Sequence, residues 1–268
     1  MIRCAAVGPH VALVVGLFAQ VAGGKEPPPP FFEGVSACRR EVTTDSPEAQ
    51  RYFNQGLAFL YAFNHDEAIR SFEQAAAIDP RCAMAWWGIA LANGPHINNP
   101  VLPQERAKAA WAALENAHAE NDGETPTEVA LIEALSHRYA EEPPEDRKIL
   151  DEAYAAAMRK VWHAHPTDPD VGALFAESMM DLRPWDLWLP SGEPQPGTEE
   201  IVHTLEAVLT QHPNHSLGLH LYIHAIEASP HPERAAAPAD RLRDLQPGLG
   251  HLVHMPSHID VRVGNWAK

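Results

Sequence analysis

The stretch SPEAQRYFNQGLAFLYAFNHDEAIRSFEQAAAIDP, residues 46–80, decides the fold of this 268-residue chain. Ser46-Pro47-Glu48 reads as a helix start, with a hydroxyl cap and proline at the first helical position. Tyr52, Gly56 and Phe59 follow at helical spacing, then Ala68, Phe72 and Ala75, and Pro80 stops the run. The pattern predicts two antiparallel helices. Small side chains at Gly56 and Ala68 let them approach, and the large ones fill the space between.

Counted from Ala49, these residues occupy positions 4, 8, 11, 20, 24, 27 and 32 of a 34-residue unit. In that pattern the segment resembles the tetratricopeptide-repeat family. The resemblance implies a solenoid of helix pairs whose first helices line an inner surface. Ala83, Trp86, Ile89 and Ala90 open a second unit, which a loop at Gly94–Pro100 interrupts before a helix near 104–119. Further pairs are expected at 126–140 with 144–165, 168–182 with 199–212, and 216–228 with 232–245. Capping and stop signals at Thr125-Pro126, His165-Pro166 and His212-Pro213 bracket them. The expected fold over residues 46–268 is therefore all-α, a tetratricopeptide-like helix-turn-helix solenoid of about five pairs plus a last unpaired helix near 250–263. A second insertion, Arg183–Gly197, carries Trp185, Asp186, Trp188 and four prolines. Gly264–Lys268 reads like the turn before another second helix, so a truncated chain, or a last helix docked elsewhere, is expected.

Ahead of the repeats, Arg3 and the apolar run Val11–Val21, followed by Ala22, Gly23 and Gly24, read as a signal peptide over residues 1–23. An uncleaved membrane anchor is the alternative, although the run is short for a bilayer span. Residues 24–45, with the run Pro27–Pro30, read as a stiff linker. The expected location is the periplasm or the extracellular space, with no membrane attachment after cleavage. Cys4 precedes the apolar run and is not placed as a lipoprotein cysteine; Cys38 and Cys82 are candidates for a disulfide. Asp and Glu outnumber Lys and Arg 36 to 20. That acidity argues against a nucleic-acid partner and against adhesion to anionic membranes, and fits a soluble protein or one that collects cations.

Nine of the sixteen histidines fall between His203 and His258. On a helix His220 and His224 lie about 40° apart with Glu227 alongside, a facial set suited to Zn²⁺, Cu²⁺ or Fe²⁺. His251, His254 and His258 share a face of the next first helix if it runs through Pro256, and stay close together if it does not. Neighbouring first helices in a solenoid lie about 8–10 Å apart, a gap that histidines from both can bridge around one ion. The expected metal set is His220, His224, Glu227, His251, His254 and His258, with copper first, zinc or iron next; the alternatives for the same histidines are packing, binding of a peptide carboxylate or other organic ligand, and pH sensing without a ligand. Asp181, Trp185 and Asp186 are expected near the same groove, with His96 and Asn93 weaker candidates. His65, His118, His137, His163 and His165 read as packing or surface residues, and His203, His212, His215 and His231 as helix-end residues. Trp86, Trp87 and Trp111 read as core.

Residues 220–268 are also similar to a segment of secreted bacterial tetratricopeptide-repeat proteins with no assigned activity, a resemblance that brings no mechanism with it. Two functions remain open. One is an exported scaffold whose groove carries the metal site and binds a peptide or protein partner. The other is a metal-dependent enzyme with Glu227 as ligand or general base and the 183–197 loop as part of a lid. No Ser/His/Asp, phosphate-loop or CxxC signature supports other chemistry.

Overall fold

The first helix begins where the cap residue stands: Ser46 Oγ accepts from the Ala49 N–H at 3.2 Å, and α1 runs Pro47–Tyr61. The computed structural model describes residues 27–35, 38–121 and 123–267; the expected signal segment lies outside them. After α1 come α2 (His65–Ile78), α3 (Ala83–Ala92), α4 (Gln104–Ala119), α5 (Pro126–Ser136) and α6 (Lys148–Ala164). Then follow α7 (Pro169–Met180), α8 (Thr198–Gln211), α9 (Ser216–Ile226) and, after a 3-10 turn at Pro232–Ala235, α10 (Ala236–Arg243). The described chain ends with α11 (Gly250–His254) and α12 (Pro256–Val263). No strand forms among the described residues.

Each helix packs on the next in sequence order, which makes an all-α solenoid of five pairs, with α11 and α12 beyond them. The expected pairing is the observed one. Glycine sets the closeness of the first three helices. A Cβ on Gly56 or on Gly88 would meet the Phe72 ring at 2.7 or 2.6 Å, so the fully buried ring is held between α1 and α3. Thr125 builds a reciprocal cap with Glu128 at the start of α5, and Asp168 accepts from the Asp170 and Val171 amides at the start of α7. Trp87 is core, while Trp86 and Trp111 are partly buried against it.

The inner helices curl far enough for α1 to touch α9, which brings the first repeat onto the fifth. The segment before α1 reinforces this contact. Its prolines keep it extended, but it is a strap and not a free linker. Tyr52 donates to the Pro29 carbonyl, Arg40 pairs with Asp168 and Asp170 at 3.0 Å, and Thr43 bonds Glu128. The Gly248 amide donates to the Gly34 carbonyl at the far end of the solenoid, and a Cβ on Gly34, at φ +75°, would stand 2.8 Å from that amide nitrogen.

The cysteines do not pair. Both are free and buried: Cys38 lies 3.0 Å from Ser216 Oγ at the start of α9, whereas Cys82 precedes α3. Cys38 lies in the strap, against Ser216 of the fifth repeat, and Cys82 caps a helix of the second, so the candidate disulfide is not formed.

Candidate metal centre

Helix α9 is buried along its whole length, and two of its residues are histidines, His220 wholly buried and His224 nearly so. The helix that follows bends without separating. Met255 keeps helical angles between α11 and α12, while Pro256 has no N–H for the Leu252 carbonyl and the ladder resumes with the His258 N–H donating to the Met255 carbonyl at 3.1 Å. His251, His254 and His258 therefore remain on one side of a kinked rod, facing α9. His251 and His258 are partly buried, and His254 lies at the exposed rim.

The hydrogen bonds fix which nitrogen each ring offers. His220 Nδ1 donates to the Tyr61 carbonyl at 2.8 Å, which leaves Nε2 as a lone pair. Glu227 caps the end of α9 and accepts from two rings, His224 Nδ1 at 2.8 Å through Oε1 and His258 Nδ1 at 2.8 Å through Oε2. His224 Nε2 is then a buried acceptor with no hydrogen-bond partner. His251 Nε2 lies 3.1 Å from His220 Nε2, and His254 Nε2 lies 2.9 Å from His258 Nε2. At metal–nitrogen bonds of about 2.0–2.1 Å, donors 3.1 Å apart subtend roughly 95–102°. The donor atoms of His220, His224 and His251 all lie within 4.8 Å of one another, as do those of His224, Glu227 and His258. This group of histidines with Glu227 could hold a metal ion.

Electrostatics suit the same use. Burial holds His220 well below the usual imidazole range and lowers His224, with neighbouring imidazoles adding to both. Burial and its neighbours bring His251 to about 4. Neutral imidazole is the form that binds metal. Burial alone would raise Glu227, but the hydrogen bonds from His224 and His258 outweigh it and hold the carboxyl at about 2. Glu227 is thus a fixed anion that orients two rings, the arrangement usual around histidine ligands. Each of its oxygens accepts one of these bonds and keeps a further lone pair, so Glu227 also remains among the donors that could hold an ion.

Two aromatic residues close the cluster. Trp185 stands edge-on to His224 with ring centroids 4.9 Å apart, and Phe63 packs on His220 at 4.4 Å and His251 at 5.6 Å. They are the two non-glycine residues of positive φ among the described residues, at +60° and +54°. Left-handed backbone under a bulky side chain is costly and concentrates at functional sites. Beyond Trp185 a cavity of about 210 Å³ reaches His224 and Glu227 between Met180, Leu187 and Trp188, with Arg183 and Arg262 among its lining.

The other expected site residues separate. His96 is drawn in at the margin: its ring lies 4.6 Å from Phe63 and stacks on His65 at 4.1 Å. His65, read from sequence as incidental, therefore belongs to the same aromatic wall, and no helical spacing could have marked it. Asn93 instead bonds the Ile89 carbonyl within its own helix. Asp181 is not in the groove. It pairs at 2.6 Å with Arg138, which also holds the Pro95 carbonyl, because the end of α5 buries a guanidinium against the end of α7. Burial and the neighbouring Asp181 push Glu177 up, to about 8, so the two acids share their charge opposite that arginine. Asp186 faces outward, bonded to Gln195 at 3.2 Å and 3.5 Å from Arg183.

Helix-end His215 acts on an amide rather than a carbonyl. Its Nδ1 accepts from the Gly218 N–H, and its Nε2 bonds Asp170 at 3.0 Å. Asp170 also takes Arg40 and the Tyr61 hydroxyl. Burial would raise its pKa, but these partners hold it well below the usual range. The network fixes Tyr61, whose carbonyl orients His220.

Fold and site together define a class: a helical solenoid carrying a histidine and glutamate group able to hold a metal. No family model matches the chain, and no curated protein matches it.

Proposed function

We propose that this chain is an exported tetratricopeptide-type solenoid that binds a transition metal through Nε2 of His220, His224 and His251. One observation carries the reading: His224 Nε2 is buried and unpartnered while its Nδ1 is committed to Glu227. Leaving a polar atom buried without a partner costs about 1–3 kcal/mol, and a metal bond removes that cost. All-imidazole coordination favours copper, with zinc or iron next. Metal analysis of untagged protein tests this. One ion or more should be retained after dialysis, and His220→Ala or His224→Ala should release it; equal, substoichiometric metal in wild type and both variants would sink the reading.

A metal-dependent enzyme is the second reading, and the 210 Å³ cavity favours it. A peptide scaffold calls for a groove open along several repeats. Here α1 touches α9, and a pocket of about 210 Å³, smaller than the about 300–1,000 Å³ of most ligand sites and so suited only to a small substrate, lies against the His224 ring. Arg183 and Arg262 would meet an anionic group there, and Trp185 would cover its apolar part.

A further inference from the structure

We infer that the centre takes two ions, and that His254 and His258 hold the second. This rests on the metal reading above and extends it. Donors of one ion lie within about 4.2 Å of each other, twice a metal–nitrogen bond. The five imidazoles do not converge that way. Among the described residues the three-donor groups are His220 with His224 and His251, and His224 with Glu227 and His258; neither contains His254. His254 instead meets His258, Nε2 to Nε2, at 2.9 Å. Bonds of about 2.0–2.1 Å to both nitrogens enclose roughly 90°, an angle between adjacent ligands in octahedral or square-planar coordination.

The orientation of these two rings repeats that of the first set. His258 donates Nδ1–H to Glu227 at 2.8 Å, and His254 Nδ1 lies 3.4 Å from Ser257 Oγ, so in both rings Nε2 is the nitrogen turned to its neighbour. Glu227 is the hinge between the sets: Oε1 orients His224 for the first ion and Oε2 orients His258 for the second. The rings of His224 and His258 have centroids 5.4 Å apart, which makes the two positions adjacent. The second position has two protein donors and an exposed edge at His254, so solvent or an oxygen ligand bridging both ions completes it.

The test is titration of metal-free, untagged protein with Cu(II) alone, read by calorimetry and by electron paramagnetic resonance. The wild type should take two equivalents. Neighbouring Cu(II) ions couple, so the signal per copper should fall by at least half as the second equivalent enters. His254→Ala, a change at an exposed position, should take one equivalent with undiminished signal and an unchanged melting curve. One equivalent in both proteins would overturn the inference while leaving the first ion in place. So would a second equivalent whose signal stays undiminished in both, since that copper sits on a remote surface histidine. Failure of the wild type to bind any copper would overturn the metal reading itself.

Discussion

Replacing Glu227 by glutamine keeps the shape of the side chain and removes one acceptor. The carboxylate accepts from His224 and His258 at 2.8 Å each. An amide has one accepting oxygen and one donating nitrogen, so it satisfies only one of those rings as it stands. The other ring must shift its proton to Nε2 to accept at Nδ1, and a protonated Nε2 cannot ligate. Loss of an outer carboxylate of this kind costs about 10–100-fold in metal affinity, which is about 1.4–2.7 kcal/mol. Glu227→Gln should therefore weaken Cu(II) or Zn(II) binding at least tenfold in competition against a chelator. The metal-free melting temperature serves as the control for folding. An affinity within about threefold of wild type, in a variant that melts normally, would refute the assignment of Glu227 as the group that orients the ligands.

Asp181→Ala removes the hydrogen-bonded carboxylate from buried Arg138 and leaves Glu177 as its remaining counter-charge, so stability should fall in denaturant unfolding by less than the about 3–5 kcal/mol of a wholly unpaired buried charge, while metal stoichiometry stays the same. Gly56→Ala gains about 1 kcal/mol of helix propensity but loses about 1–3 kcal/mol by overpacking. Because Gly88 holds the other side of Phe72, the ring has no room to yield, and the melting temperature should fall. Burial lowers His65 to about 4 and His96 to about 3, below the value of 6.5 for a free imidazole. The unfolded chain therefore binds more protons between those values; stability is full above pH 6.5 and declines as the pH falls towards 4. Metal-free protein should lose about 1–2 kcal/mol per buried histidine between pH 7 and 5, less in His65→Gln, and a flat profile would contradict the burial of these rings. Cys38 and Cys82 are both pushed up to about 12, chiefly by burial, and are unpaired. Alkylation mapped by mass spectrometry should reach them only after unfolding, and reductant should leave the melting temperature unchanged.

Helix identity and order were legible because the repeat is written in local terms. A serine cap, small residues where helices cross and a proline stop act within one pair of helices, and all three stand where α1 and α2 require them. The facing of His220 and His224 was legible for the same reason, since spacing of four on a buried helix leaves little choice. What sequence could not show was which side chains meet across repeats. Asp181 has the composition of a ligand, but its surroundings were decided by Arg138 from another helix pair. Glu227 was found, yet its role depends on accepting from His258, thirty-one positions away. The strap read as a linker because prolines signal extension equally well in solvent and against a surface. Trp185 was marked by its place in the 183–197 insertion, whereas Phe63 carries no pattern at all, and only its backbone angle marks it.

The bond from His220 to the Tyr61 carbonyl spans 159 positions. In an ordinary repeat array each unit answers only to its neighbours, so ends fray without disturbing the middle. Here a residue of the first repeat aims a ligand held by the fifth, and the array behaves as a loop with its ends joined. An ion bound at His220 would consequently report on the whole chain. Loosening the N-terminal repeat should be felt as lost affinity at a site it never touches directly, and metal binding should turn a gradually melting stack into one that opens all at once.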